Sequence, residues 1–301
     1  MQRLLKSTIL AAGLLVSCSV LLAAPWQVDN AYPECQVLDL SPTAVYDLSC
    51  GWIAEADLEG AGATTIYEID ARWEFAYWRD FLDGDMALDL VTEIDFFSQS
   101  ADVELPDQLL ALNLEATWVR RSAAGHAWVV TFAPGIYSDI EEIGLNTIFV
   151  PTTVTHIWTW NPTVSALFGL QVRPDYEVPL VVLAGIVWSP AELIRVEALF
   201  PRGRVLIMFD PRWSAEIGAE WSSTTYRLKE KGPYDRDKLT IEQIEYSVSV
   251  WHQLTDRLRI GVSLGEVASR KFEFDDRTEF FGRAFDVDDS FFLRVALGGP
   301  F

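Results

Sequence analysis

Charged side chains at every second position of an apolar run can line a water-filled passage, and this chain has them in quantity. Glu68, Asp70, Arg72 and Glu74 alternate with Tyr67, Ile69, Ala71, Trp73 and Phe75. Asp89, Glu93 and Asp95 alternate with Leu88, Leu90, Thr92, Ile94 and Phe96, and Glu115 shares its phase with Asn113 and Thr117, opposite Leu114 and Ala116. Later runs place Arg195, Arg212, Glu216, Arg257, Arg259 and Arg294 in the corresponding phase. If the apolar phase faces outward, these residues face one lumen, and the chemistry they offer is electrostatic selection of solutes. The first three runs carry seven acids and Arg72 as their one base, so one side of the wall is acidic and the other arginine-bearing. Either that asymmetry orients dipolar solutes, or the charges pair across a narrow lumen and fill it. Closing the last strand on the first would bring Arg294 toward Glu68, Asp70 or Glu74.

Nucleophilic catalysis needs a Ser or Cys in contact with a His and an orienting polar group. There are three histidines, His126, His156 and His252, and none lies near a G-x-S-x-G element. An outer-membrane lipase is therefore the third-ranked alternative, and the expectation is a protein that is not an enzyme. Cys35 and Cys50 are fifteen apart and predict a structural disulfide in an oxidising compartment. No C-x-x-C or metal-ligand spacing occurs, so neither metal nor cofactor is expected.

Such a wall requires strands, and period two runs through most of the chain. Strong alternation covers 66–78, 86–96, 110–118, 213–221, 244–250, 258–264 and 291–297, with further candidates at 126–138, 154–172, 180–188, 191–199 and 203–209. That predicts an all-β fold, a closed antiparallel transmembrane β-barrel of about twelve strands. A soluble sandwich shows the same alternation, but its strands average five or six residues, whereas several here sustain ten or more. Trp213 and Trp221 share a face eight residues apart, roughly 20 Å along the membrane normal at a tilt of ~40°. Tyr67 and Tyr77 come out near ~25 Å, also a girdle spacing. The stretch 143–172 has no Asp, Glu, Lys or Arg, yet Pro151, Pro162 and its threonines argue against a membrane helix.

The chain has 23 basic and 44 acidic residues, a net charge of −21 that repels phosphate backbones and excludes sequence-independent nucleic-acid binding. Arg3 and Lys6, an uncharged run from Ser7 to Leu22, and Ala23 with Ala24 lay out a secretory signal peptide at 1–24. An uncleaved anchor, or lipidation at Cys18 within Leu15–Cys18, is the alternative. Without Arg3 and Lys6 the balance is 21 against 44, or −23. A periplasmic segment is expected at 25–60 and the barrel at 61–301. With the N-terminus inside, the charged loops Arg227 to Glu242 and Lys271 to Asp289 lie outside, and turns near 189–190, 210–211 and 254–255 lie inside. The connections Gln99 to Pro106 and Asp139 to Pro151 disagree, being long and inside. The final strand closes on Phe301, an end of the kind that the outer-membrane assembly machinery reads. The expected partners are that machinery and outer-membrane lipids.

The run Pro179 to Pro190 (PLVVLAGIVWSP), then Phe200–Pro201–Arg202 with Arg204 and Val205, then Gly265–Glu266 leading to Arg270, Lys271, Phe272, Glu273 and Phe274, resembles an uncharacterised family of bacterial outer-membrane β-barrel proteins, a domain of unknown function. The resemblance is clearest from about 160 onward and is that of a distant member. It implies the fold and the outer-membrane location and brings no catalytic residue. The function expected is a narrow channel for small polar or charged solutes, with a plugged structural or surface-binding barrel as the alternative.

Overall fold

The computed structural model describes residues 46–58, 62–99, 105–122, 125–141, 143–229, 236–276 and 283–299. The signal-peptide region, Cys18, Cys35 and Phe301 lie outside the described residues. The elements are β1 (Tyr46–Leu58), β2 (Gly62–Phe81), β3 (Gly84–Gln99), β4 (Gln108–Ser122), β5 (His126–Phe132), β6 (Gly135–Ser138), a 3₁₀ turn (Leu145–Thr147), β7 (Ile148–Phe149), β8 (Thr152–Asn161) and β9 (Val164–Val172). They continue with β10 (Leu180–Ala191), β11 (Ile194–Phe200), β12 (Arg202–Asp210), β13 (Trp213–Arg227), β14 (Arg236–Thr255), β15 (Leu258–Asp276), β16 (Arg283–Val287) and β17 (Ser290–Gly298).

Antiparallel ladders run β1 to β5, then β8 to β15, then β17, and β17 pairs back to β1. The ring is closed, and it has fourteen strands rather than about twelve. One additional strand is β1, which places the start of the wall at Tyr46 and not at 61. The other comes from 154–172, which is two strands turning at Pro162 and Thr163, where the Asn161 carboxamide oxygen accepts from the Thr163 N–H at 2.9 Å. With β1 in place, the two chain ends of the ring and the tight turns after Phe81, Asn161, Ala191, Asp210 and Thr255 share one end, the termini end. The 99–106 and 139–151 connections move to the other, long-loop end, and their disagreement disappears.

Two departures from the plain pattern shape the wall around the lumen. A bulge between Glu74 and Ala76 sets Tyr77 opposite buried Ala87, so Tyr77 faces inward and Trp78, 45% exposed, takes its place outside. After Phe132 the chain departs at Ala133–Pro134. β6 then pairs with β4 on one edge and β7 on the other, and the hairpin crosses the mouth to β13 through a single parallel bridge, Ser138 to Arg227. Pro134 and Pro151 flank the excursion, as suits residues that cannot donate to a continuing ladder.

The crossing hairpin divides the barrel into two tiers. Strands β8 to β12 run 7–12 residues and end early, whereas β14 and β15 run 20 and 19. In the lower tier, toward the termini, the outer face is apolar on stave after stave: Trp73, Leu114, Trp128, Phe168, Ile186, Ile217, Val248, Val262 and Val295 are all exposed. In the upper tier the same ladders reverse their polarity. Lys271 and Glu273 face outward, while Phe272 and Phe274 are 0% and 1% exposed. The supposed charged loops are thus largely strand, with charge outside and a core within.

Candidate functional site

The lower lumen is walled by the charged phase of β1 to β4 and β11 to β17. On β2, Arg72 reaches Asp89 of β3 and, at 2.7 Å, Glu115 of β4. Glu74 is the cross-strand partner of Asp89 and lies one step around the same row. Higher up, Arg294 of β17 sits 2.8 Å from Glu68 and 3.4 Å from Glu245. It reaches Glu68 across β1 because the intervening residue is Gly51, partner of both; a Cβ there would lie 2.8 Å from a Glu68 carboxylate oxygen. Asp70 accepts from the Ser49 hydroxyl at 2.7 Å. Glu93 pairs with Asp70 across the ladder and, with Asp95, lines a cavity of about 30 Å³ closed by Arg270, Gln243, Ser222, Thr224 and Tyr226.

On the opposite arc, Glu197 takes Arg195 at 2.8 Å and Arg204, and Arg204 extends to Glu216 at 3.4 Å. Arg259 approaches Asp47 at 3.6 Å and lies over the Trp251 ring. Arg212 and Arg257 are not on this wall: both sit in exposed turns at the termini end. The strands end before these two positions, and side-chain alternation stops where the chain turns.

These ion pairs join staves no more than two apart around the ring, so charge lies along the wall and not across the lumen. The division by sign gives way to another: the inward faces of β5, β8, β9 and β10 carry no ionisable residue, with Val129, Thr131, Thr155, Leu167 and Val181 among those presented. Solvent reaches this lumen unevenly. The Arg72 side chain is 45% exposed, Arg294 25%, and Arg270 as a residue only 3%. Toward the termini the charged staves are wetted at Arg72, while the uncharged arc is closed, with Ile157 2% exposed and Ser165 and Val187 0%, and beneath the upper tier the lumen is dry.

What dries it is an apolar core assembled from the upper halves of the walls. Ile53, Leu58, Ile66, Phe97, Leu109, Leu239, Phe272 and Phe292 meet there, joined by Tyr137 and Phe149 from the crossing hairpin and Tyr226 from β13. The 173–179 connection completes it. Tyr176 packs edge-on against Tyr137 and Phe149, and Arg173 donates to the Ser223 carbonyl at 2.7 Å. Burial pushes the Tyr176 phenol well above its ordinary range, keeping it a neutral partner for the Tyr137 hydroxyl. The seam between hairpin and β13 includes the Ser138–Arg227 bridge, the Asp139 N–H to the Arg227 carbonyl at 3.2 Å, the Lys229 N–H to the Asp139 carboxylate at 2.8 Å, the Lys229–Glu141 ion pair at 3.3 Å and the Tyr137–Tyr226 ring contact.

The three histidines are on the outer face. His126, His156, Trp128 and Trp158 form one ring cluster, and His252 stacks on Trp213 at 4.1 Å. Cys50 is likewise on the outer face of β1. Its expected partner, Cys35, is outside the described residues. The upper core and its seam were the features that alternation did not announce as a site, though the inward aromatic phase of 272–274 was readable.

Comparison with known proteins places a family model described as Domain of unknown function (DUF6268) on residues 92–298, more than half of the chain. No curated protein matches. Among solved structures, the chain is similar to the COG4313 outer membrane channel from Pseudomonas putida F1 at 13% identity and a TM-score of 0.47, covering 90% of this chain and 100% of that one. It is similar to the KdgM porin at 10% and 0.36, covering 85% and 99%, and to the NanC porin at 8% and 0.40, covering 85% and 100%.

Proposed function

The chain belongs to the DUF6268 family, and on that premise we propose that it is an outer-membrane β-barrel acting as a narrow, closable channel for small polar or charged solutes. The observation that carries this reading is the reversal of polarity between the tiers. Below, a largely apolar exterior, in which His156 sits among the rings of Trp128 and Phe168, surrounds a lumen wetted along its charged staves, the arrangement that lipid outside and water inside require. Above, a polar exterior surrounds an apolar core, the arrangement of a barrel standing in water. The lower tier is the membrane span, and its short staves of 7–12 residues are close to the nine to eleven that a tilted strand needs. The upper tier projects outside and seals the lumen.

The seal also favours the second reading, a plugged barrel with a structural or surface-binding role. The upper ring has two single-pair joints, Ser138 to Arg227 between β6 and β13 and Leu58 to Val287 between β1 and β16, and a channel that opens at the first of them is separated from a plugged barrel by locking it. The experiment is single-channel conductance in a planar bilayer of the wild type and of a Ser138→Cys/Arg227→Cys variant in which Cys35 and Cys50 are Ser. A bridge-paired position suits disulfide geometry. Conductance that vanishes on oxidation and returns on reduction is the expected result. Silence of the wild type and of the reduced variant would leave the plugged barrel standing.

A further inference from the structure

On β15 the exterior of the upper tier is charged, but the turn that leads from the crossing hairpin to β8 breaks that rule. In the 143–148 segment Ile143 is 56% exposed, Leu145 89% and Ile148 42%, and Leu145 is the most exposed large hydrophobic side chain among the described residues. Thr147 and Phe149 point the other way and are buried. The segment is therefore two-sided, with one side on the core and three aliphatic side chains directed outward. No Asp, Glu, Lys or Arg occurs from 143 to 172 to offset them. Exposed apolar side chains scattered singly are ordinary, whereas a group of them in one charge-free turn marks contact with something apolar.

The turn is closed on itself. The Thr147 N–H donates to the Gly144 carbonyl at 3.1 Å, the Thr147 hydroxyl donates to the same carbonyl at 2.8 Å, and the Gly144 N–H donates to that hydroxyl at 3.3 Å. Polar groups paired in this way need no water, which is the condition for a turn to enter apolar surroundings. The turn is also fastened to the crossing hairpin, because Ile148 and Phe149 pair with Ile136 and Gly135, and Phe149 packs on Tyr137. Beyond Pro151 the chain enters β8, where outward Val154 stands beside Leu170, and Thr152 stands between Phe132 and Val172, all four apolar side chains being exposed. The apolar exterior of the lower tier thus runs up the chain into the turn with no charged residue between.

Two kinds of surface cover such a patch, another protein or lipid. A stable protein interface buries about 800 Å² per partner, roughly 20–30 residues a side, and three side chains fall far short of it. Lipid needs no such area, and the exposed Asn146 beside Leu145 suits the boundary where aliphatic side chains enter the acyl region and a polar group stays with the headgroups. We propose that the 143–148 turn inserts Ile143, Leu145 and Ile148 into the bilayer surface at the long-loop end and so pins the crossing hairpin to the membrane beside the short staves. The proposal rests on the reading of the lower tier as the membrane span and deepens it by naming a lipid contact outside the wall.

The test is depth-dependent fluorescence quenching of the full chain folded into lipid vesicles. With Cys18, Cys35 and Cys50 changed to Ser, one of Leu145→Cys, Val248→Cys and Asp275→Cys carries an environment-sensitive fluorophore, and the vesicles contain lipids bearing a nitroxide near the headgroup or at mid-chain. Val248 is 51% exposed on the outer face of β14, and Asp275 is exposed on β15 in the upper tier, next to inward Phe274. Folding of every variant is checked by heat-dependent gel migration. The shallow nitroxide is expected to quench Leu145→Cys at least twofold more than Asp275→Cys, and the mid-chain one is expected to act most strongly on Val248→Cys. Should Leu145→Cys not fold, Ile143→Cys carries the same expectation. Quenching at Leu145 no greater than at Asp275, with Val248 quenched from mid-chain, overturns the insertion and leaves the membrane span intact. Absence of quenching at Val248 removes the span and the insertion with it. Disulfide-linked dimers of unlabelled Leu145→Cys in the same vesicles, without lipid quenching, would overturn the proposal by assigning the patch to a second copy of the chain.

Discussion

Val248 and Ser247 are neighbours on β14 that face opposite media, and an arginine at each measures the difference. Val248 is 51% exposed, in the outer column that runs from His252, stacked on Trp213, up to Ile244, whose partner Trp221 stacks on Phe200. It is four residues from each girdle position. At ~3.3 Å per residue and ~40° tilt, that is roughly 10 Å from either edge, near the middle of the apolar band. Val248→Arg should then cost about 2–4 kcal/mol, a change of roughly 30- to 900-fold in the folding equilibrium. Ser247 faces the lumen between Gly218 and Gly265, its cross-strand partners, and an arginine there extends into a wet space beside Glu245 and Glu216. Its cost should stay within about 0.5 kcal/mol. Urea titration of folding into lipid vesicles reads both. Equal penalties would refute the assignment of outer and inner faces, and with it the membrane span.

Two further outcomes follow from the same geometry. Arg294→Ala leaves Glu68 and Glu245 without their shared guanidinium, and because these side chains are partly wetted the loss should be about 2–3 kcal/mol, below that of a fully buried pair; the reversal potential in a salt gradient should move toward cation selectivity, and an unmoved potential in a conducting protein would remove Arg294 from the passage. Trypsin added to intact cells should cut between Arg227 and Lys238 at the long-loop end and spare Arg257, which becomes accessible on permeabilisation; cutting at Arg257 in intact cells would invert the orientation.

Most of the lower tier was legible because one residue type per face repeats: Ile217 and Ala219 against Glu216 and Gly218 can be read without coordinates. What escaped was local geometry that resets the phase. The bulge at Glu74–Ala76 costs one residue and turns Tyr77 inward, so a girdle spacing counted along the chain was not one in space. β1 is hard to read from the sequence because its alternation, Leu48, Cys50 and Trp52, breaks at a register shift between Ile53 and Ala56. The hairpin at Pro162 was hidden by two strands that share an apolar, uncharged composition. Pairing partners among charges depend on closure: the Arg294–Glu68 contact follows from joining the ends of the wall, but it forms across an intervening strand whose glycine makes room.

The two-tier reversal left its own trace in the sequence. Where a stave passes from the lower tier to the upper, the outward residue is still apolar and the inward one already is, so apolar pairs fall in consecutive positions: Trp52–Ile53, Ile66–Tyr67, Phe96–Phe97 and Phe291–Phe292. On β14 the apolar phase slips by one, from Leu239 and Ile241 to Ile244, Tyr246 and Val248, without a bulge in its ladder to β13. Such doublets look like noise in a period-two scan because each breaks the alternation it borders. In space they lie at one height around the ring, where the exposed apolar band ends and the filled upper core begins. The level of the seal is therefore set by the same residues that set the depth of the barrel, and moving one without the other would require re-phasing several strands at once.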